Sequence, residues 1–187
     1  MRIVGGEFRG RALTTPPANA AIRPTSDRLR EAVFDILVHR FDDPVTGARV
    51  LDLFAGTGAL GLEALSRGAA SCLLVEESAE ARGLIRTNVE AFGLTGRARV
   101  FRRDATSLGP AGTTAPFSLV FADPPYRQGL GEAALRSAAE GGWLEAGAIV
   151  VLEEAADATI GDLPGFEVLD ERKVGDSKVL FLRWGAA

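Results

Sequence analysis

A chain of 187 residues with 47% hydrophobic content is long enough to bury a full core and short enough to expect a single domain. No apolar run could span a bilayer, and the first dozen residues are rich in Gly and Arg, without the apolar stretch of a cleavable signal, so a cytoplasmic protein is expected. With one cysteine (Cys72) and one histidine (His39) there is no intrachain disulfide and little support for a clustered soft-ligand metal site or a Ser/His or Cys/His catalytic pair, and no metal is expected.

Net charge is −4, which at face value argues against a nucleic-acid partner. The distribution argues the other way. Residues 1–30 hold six arginines and two acids, while the remainder holds 15 basic and 23 acidic residues. Arg2, Arg9 and Arg11 are interleaved with Ile3, Val4, Phe8 and Leu13, and Arg23 follows, the pattern of a partner-binding arm on an acidic body.

In chain order, Met1–Leu13 reads as a hairpin turning near Gly5-Gly6 or Gly10, and Pro16–Ile22 as a linker. Ser26 or Thr25 caps a helix that carries Leu29, Val33, Ile36 and Leu37 on one face and ends near His39. Four strand–helix alternations follow: strand 49–54 with helix 58–67 stopping at Gly68, then strand 71–76 with helix 78–92 stopping at Gly93. Next come strand 97–102 with a short helix after Asp104, and strand 117–122 with helix 130–140. Strand 148–153, a short helix, and strands 166–174 and 178–184 around a Gly175-Asp-Ser177 turn complete the pattern. Such alternation implies an α/β fold, a parallel sheet with helices on both faces. Cys72 reads as a buried thiol, Trp143 and Trp184 as core or interface, and Gly109–Pro116 as a surface loop.

The first strand leads into Ala55-Gly56-Thr57-Gly58-Ala59-Leu60-Gly61, a formal G-x-G-x-x-G, and Glu76 lies 20 residues after Gly56, at a strand end where it could bind ribose hydroxyls. The motif alone leaves NAD and S-adenosylmethionine (SAM) both open. Asp52, four residues before Gly56, would repel a pyrophosphate but favours the ammonium and sulfonium of SAM. Phe54 either packs beside the cofactor or fills the core. Residues 123–126, Asp-Pro-Pro-Tyr, end an apolar strand with a rigid shelf that holds one carboxylate, free carbonyls and one ring. A carboxylate and a carbonyl can both accept from one amino group while the ring stacks on a base. Arg127-Gln-Gly-Leu-Gly131 continues the shelf as a segment able to close over such a base.

Together the two motifs resemble the class I SAM-dependent methyltransferases that modify amino groups. Met1-Arg-Ile-Val-Gly-Gly-Glu-Phe-Arg-Gly-Arg-Ala-Leu13, Arg23-Pro-Thr-Ser-Asp-Arg-Leu-Arg-Glu-Ala-Val-Phe34 and Leu51–Leu65 make the chain similar to the bacterial 16S ribosomal RNA guanine-N2 methyltransferases of the RsmD type. That resemblance implies a Rossmann-like class I methyltransferase sheet, seven-stranded and mostly parallel with one antiparallel strand, with helices on both faces and an N-terminal β-hairpin and helix. Residues 1–187 are then one methyltransferase domain, 1–22 the basic hairpin and linker and 23–187 the SAM-binding catalytic body. It implies catalytic roles for Asp123, Pro124, Pro125 and Tyr126. SAM would be held by Asp52, Phe54, Gly56, Gly58, Glu76, Asp104 and Ala105, with the adenine at the last two. RNA contacts are expected from Arg2, Arg9, Arg11, Arg23 and Arg127. The expected partner is 16S ribosomal RNA, naked or within a small subunit, and a monomer is expected. Three alternatives stay open: an adenine-N6 methyltransferase on DNA or RNA, a non-catalytic RNA-binding module on the same fold, and an NAD-linked oxidoreductase.

Overall fold

Side chains along a strand alternate between the two faces of a sheet, and in the central strands of this chain both sets are apolar, so both faces must be covered. The computed structural model describes residues 1–17 and 25–185. It contains α1 (Asp27–Arg40), β1 (Arg49–Leu53), α2 (Ala59–Ser66), β2 (Ser71–Val75), α3 (Ala79–Ala91), β3 (Ala98–Phe101), β4 (Phe117–Ala122), α4 (Leu130–Glu140), β5 (Leu144–Ala155), β6 (Phe166–Val174) and β7 (Ser177–Trp184), with one 3-10 turn at Ala105–Ser107. The sheet order is β3-β2-β1-β4-β5-β7-β6. All pairings from β3 to β5 are parallel, and β7 alone runs against its two neighbours. On one face Leu74, Phe121, Val151 and Phe181 meet Phe34 and Leu37 of α1, Leu62 of α2 and Ile85 of α3. On the other, Leu53, Val120, Leu152 and Leu182 meet Ala134 and Leu135 of α4 and Trp143. The strand order reverses between β1 and β4, so the loops after these strands diverge to opposite faces and leave a crevice at their C-terminal ends.

Three expectations differ from what is observed. The N-terminal hairpin has no ladder beyond a single bridge, Arg2 with Ala12. Ile3 and Leu13 N–H donate across the hairpin to the Arg11 and Met1 carbonyls at 3.0 and 2.9 Å, and donors of its turn go to α2: Val4 and Gly5 N–H bond the Glu63 carboxylate at 3.0 and 2.9 Å, and Phe8 N–H bonds Ser66 Oγ at 2.9 Å. This docking explains why every residue of α2 is buried. No helix separates β5 from β6. Residues 156–165 form turns and loop, tied to α4 where Gly161 N–H donates to Glu132 and Arg136 donates to the Asp162 carbonyl. β5 also begins at Leu144 rather than 148, because Leu144 pairs with Phe117 across a register shift. The linker expected at Pro16–Ile22 lies mostly outside the described residues.

Among the described residues, no helix is long and apolar enough to cross a membrane, and no group of three or more His, Cys, Asp or Glu could hold a metal ion.

Candidate active site

A cleft of about 900 Å³ opens along the C-terminal ends of β1, β2, β4 and β5. At one end it is lined by the loop after β1 and the ends of β2 and β3. Phe54, half-buried, holds a left-handed backbone (φ 56°), a strained conformation for an aromatic residue that turns the chain into the glycine loop. Glu76 leaves the end of β2 and accepts from Gly56 N–H at 2.8 Å and from Ser78 N–H at 2.9 Å. Asp104 caps the 3-10 turn by accepting from Thr106 N–H at 2.9 Å, and Ala105 is buried beside it. Phe54, Gly56, Glu76, Asp104 and Ala105 all line the cleft.

Asp52 and Gly58 do not line it. Asp52 is 1% exposed and turned beneath α2, where it accepts from Gly61 N–H at 3.0 Å. Burial pushes its carboxyl up to about 7, opposed by the Gly61 bond and helped by the charge of Glu76. Gly58 starts α2 with φ 82°, and an added Cβ there would lie 3.2 Å from Leu74 and 3.3 Å from Ile85. It therefore faces the core. Gly61 lets α2 lie close on the sheet, since a Cβ would sit 2.7 Å from Cys72 Sγ.

These bonds bear on which cofactor the loop suits. The three glycine N–H groups that could cradle a phosphate are spent on Glu76, on the Ala55 carbonyl and on Asp52. Two carboxylates, Glu76 and Asp104, face the cleft beside them. That donor set fits hydroxyls, amines and a cationic centre better than a pyrophosphate.

The opposite end is built on the Asp-Pro-Pro-Tyr shelf after β4. Asp123 accepts from the Thr25 hydroxyl at 2.7 Å. Pro124 is buried, Pro125 is exposed, and both line the cleft. The Tyr126 hydroxyl donates to Glu153 at 2.5 Å and lies 2.8 Å from Ser177 Oγ, which fixes the ring to the ends of β5 and β7. Burial pushes the Asp123 carboxyl well above its ordinary value, and the charge and hydrogen bond of Glu153 push it further. The Thr25 bond opposes both. Thr25, Glu153 and Ser177 were not expected from the sequence to belong to the site. A visible signal existed: Thr25-Ser26 offers two caps for one helix, and Ser26 takes that role through Leu29 N–H at 3.1 Å. Glu153-Glu154 is likewise a charge pair at the end of the apolar run 148–152 of β5.

None of the described arginines expected to contact RNA lines the cleft. Arg2 bonds the Gly10 carbonyl, and Arg11 bonds the Ala91 carbonyl at 2.7 Å with its guanidinium 4.5 Å from the Phe92 ring. Arg9 is exposed. Arg127 turns outward to Asp157 at 2.8 Å, and Arg23 lies outside the described residues. Arg28 and Arg103 line the cleft instead; Arg28 is exposed, and Arg103 is held by the Leu108 carbonyl.

The sequence and fold match known proteins over almost the whole chain. A family model described as conserved hypothetical protein 95 matches residues 1–183. The chain belongs to this family, the RsmD-type methyltransferases. Ribosomal RNA small subunit methyltransferase D of Escherichia coli K12 is 40% identical over 176 residues, covering 93% of this chain and 84% of that protein. Among solved structures, yhhF of Escherichia coli superposes with a TM-score of 0.84 at 32% identity, covering 100% of this chain and 99% of that one. A hypothetical protein of Thermus thermophilus does so with a TM-score of 0.74 at 36% identity, covering 97% and 98%.

Proposed function

We propose that this methyltransferase uses SAM to methylate the exocyclic N2 amine of a guanine in 16S ribosomal RNA, alone or within the small subunit. The observation that carries the reading is the shelf of Asp123, Pro124 and Tyr126 at one end of a cleft whose other end holds Glu76 and Asp104. Similarity to a small-subunit ribosomal RNA methyltransferase over most of the chain supports the substrate.

SAM, when bound, supplies a methyl group on a cationic sulfur. Glu76 would take the ribose hydroxyls and Asp104 with Ala105 the adenine, leaving the methyl end toward the shelf. The acceptor amine is a poor nucleophile, because its lone pair is delocalised into the ring. Hydrogen bonds from that amine to the Asp123 carboxyl and the Pro124 carbonyl draw it toward tetrahedral geometry and aim the lone pair along the transfer path. Asp123 needs no great basicity for this; it orients the amine and stabilises the positive charge that develops on it. Tyr126 stacks on the base, an interaction of roughly 1–3 kcal/mol in single-strand sites.

The test is incubation with methyl-labelled SAM and small ribosomal subunits lacking the modification, followed by mapping of the label to nucleotide and atom. Label on a guanine N2 supports the reading. Label on an adenine amine would replace it with the N6 reaction, and a titration in which NAD binds and SAM does not would replace it with redox chemistry.

A further inference from the structure

After its apolar run, β5 closes on two buried carboxylates, Glu153 at 7% and Glu154 at 2% exposure. Burying a carboxylate is costly unless donors reach it, so the donors show what this pair holds. Glu153 Oε1 accepts from the Tyr126 hydroxyl at 2.5 Å and from Ser177 Oγ at 3.3 Å, and the two hydroxyl oxygens lie 2.8 Å apart. Glu154 Oε1 accepts from Arg127 N–H and from Ala155 N–H, each at 2.8 Å. The two carboxylates thus grip the shelf at consecutive residues, one at the tip of the Tyr126 ring and one at the backbone that follows it. Arg127 has φ 63°, a left-handed conformation that costs a non-glycine residue energy and persists only when its surroundings hold it. On the other side of the ring, Pro124 and Pro125 fix their own φ. Ser177 is set by the antiparallel ladder: Ala155 pairs with Ser177 and Glu153 with Val179, so Glu153 and Ser177 share one face of the sheet. A ring tied at both ends of its long axis cannot swing out of the cleft that it lines.

We propose that Glu153 is a positioning residue for methyl transfer: together with Ser177 it tethers the Tyr126 hydroxyl, so that the stacking ring stands in its working place before a base arrives. This rests on the reading in which Tyr126 stacks on the acceptor base. It makes no use of the hydrogen-bonding edge of that base, so it holds for a guanine or an adenine amine alike. The ring sets how the base sits in the cleft, and hence where its amine falls relative to the Asp123 carboxyl and the Pro124 carbonyl. An untethered ring still stacks, but over a spread of positions, and that spread costs rate rather than affinity.

Two measurements test it. Tyr126 is the only tyrosine of the chain, so the tether can be read without RNA or cofactor from the Raman doublet of the tyrosine ring, whose intensity ratio follows the hydrogen bonding of the hydroxyl. The wild-type ratio is that of a strong donor, and in Glu153→Ala it moves toward that of a solvated hydroxyl; an unmoved ratio overturns the tether. The second measurement is single-turnover transfer at saturating SAM to small ribosomal subunits lacking the modification, which separates the maximal rate from the half-saturating subunit concentration. Tyr126→Phe keeps the ring and loses the tether, so the maximal rate falls roughly 10–100-fold while half-saturation stays close to wild type. Glu153→Ala falls by a similar factor, and combining it with Tyr126→Phe costs no more than either change alone. Glu153→Gln keeps an oxygen that accepts from Tyr126 and loses less than Glu153→Ala; if Glu153→Ala fails to fold, Glu153→Gln is compared with Tyr126→Phe instead. A Glu153→Gln rate as low as that of whichever comparison variant folds, or losses that add in the double variant, would show Glu153 acting through its charge and overturn the tether. A wild-type rate in Tyr126→Phe with a slow Tyr126→Ala overturns the tether and leaves the stack standing, whereas a wild-type rate in Tyr126→Ala overturns both.

Discussion

Glu76 and Gly58 both belong to the glycine-loop motif, yet they act on different quantities. Glu76→Ala removes a carboxylate from the cleft and releases Gly56 N–H and Ser78 N–H, so SAM affinity measured by calorimetry falls by about 1.5–3 kcal/mol while the fold persists. Gly58→Val forces a β-branched residue to φ 82° and drives its side chain into Leu74 and Ile85, a loss of roughly 2–4 kcal/mol in unfolding free energy. The opposite outcome, a stable Gly58→Val protein with a selective defect in SAM binding, would place the cofactor against Gly58 after all. Asp52 predicts a pH effect. Its carboxyl titrates near 3.8 when unfolded and about 7 when folded. Below 3.8 both states hold the proton; between these values only the folded state does, so stability falls as pH rises and reaches its low plateau above about 7. Asp52→Asn cannot ionise, so urea unfolding is expected to show it more stable than wild type at pH 8 and nearly equal at pH 4. Asp123, also raised, contributes a slope of the same sign that remains in this variant.

The elements were legible wherever hydrophobic period and punctuation agreed. Gly68 and Gly93 follow α2 and α3 as expected, and the apolar runs at 71–75 and 117–122 are strands. Failures came where long-range partners replaced local ones. Residues 1–13 alternate like a hairpin, but nothing in that pattern reveals that Glu63, fully buried 58 and 59 residues away, takes their N–H groups. Glu63 also pairs with buried Arg30 at 3.4 Å and with Arg67 at 2.9 Å. Glu63→Ala therefore strands two backbone donors and leaves the buried Arg30 guanidinium to Asp27 and the Arg2 carbonyl, and a loss of about 2–4 kcal/mol in urea unfolding is expected. Unchanged stability would mean that the arm is not docked through this residue. The same docking divides the arm's arginines. Arg9→Ala is expected to flatten the log–log salt dependence of RNA binding by roughly 0.7–0.9 without altering stability. Arg11→Ala also loses its stack on Phe92, about 0.5–1 kcal/mol. An Arg9→Ala slope equal to wild type would shift the RNA contact to the cleft-lining Arg28 and Arg103.

Taken whole, the molecule gathers distant segments at one sheet edge, and that convergence was only partly readable. Strand ends carrying Phe54, Glu76, Asp104 and Asp123 could be aligned in advance, because parallel strands must bring their C-termini to one side. Thr25 and Ser177, by contrast, reach the site only through the packing of α1 and the reversal of β7, neither of which leaves a local mark. Asp52 was misplaced for a related reason: a strand-end acid next to glycines reads as cleft-facing, but alternation puts it under α2 with Val50 on the inner face. Methyl transfer as proposed depends on Asp123 acting on the acceptor amine and not on the cofactor. Single-turnover methyl transfer by Asp123→Ala at saturating SAM, with SAM affinity measured in parallel, tests this most directly. Transfer is expected to be lost with affinity close to wild type; near-normal transfer, or transfer lost only because SAM no longer binds, would contradict this role of Asp123.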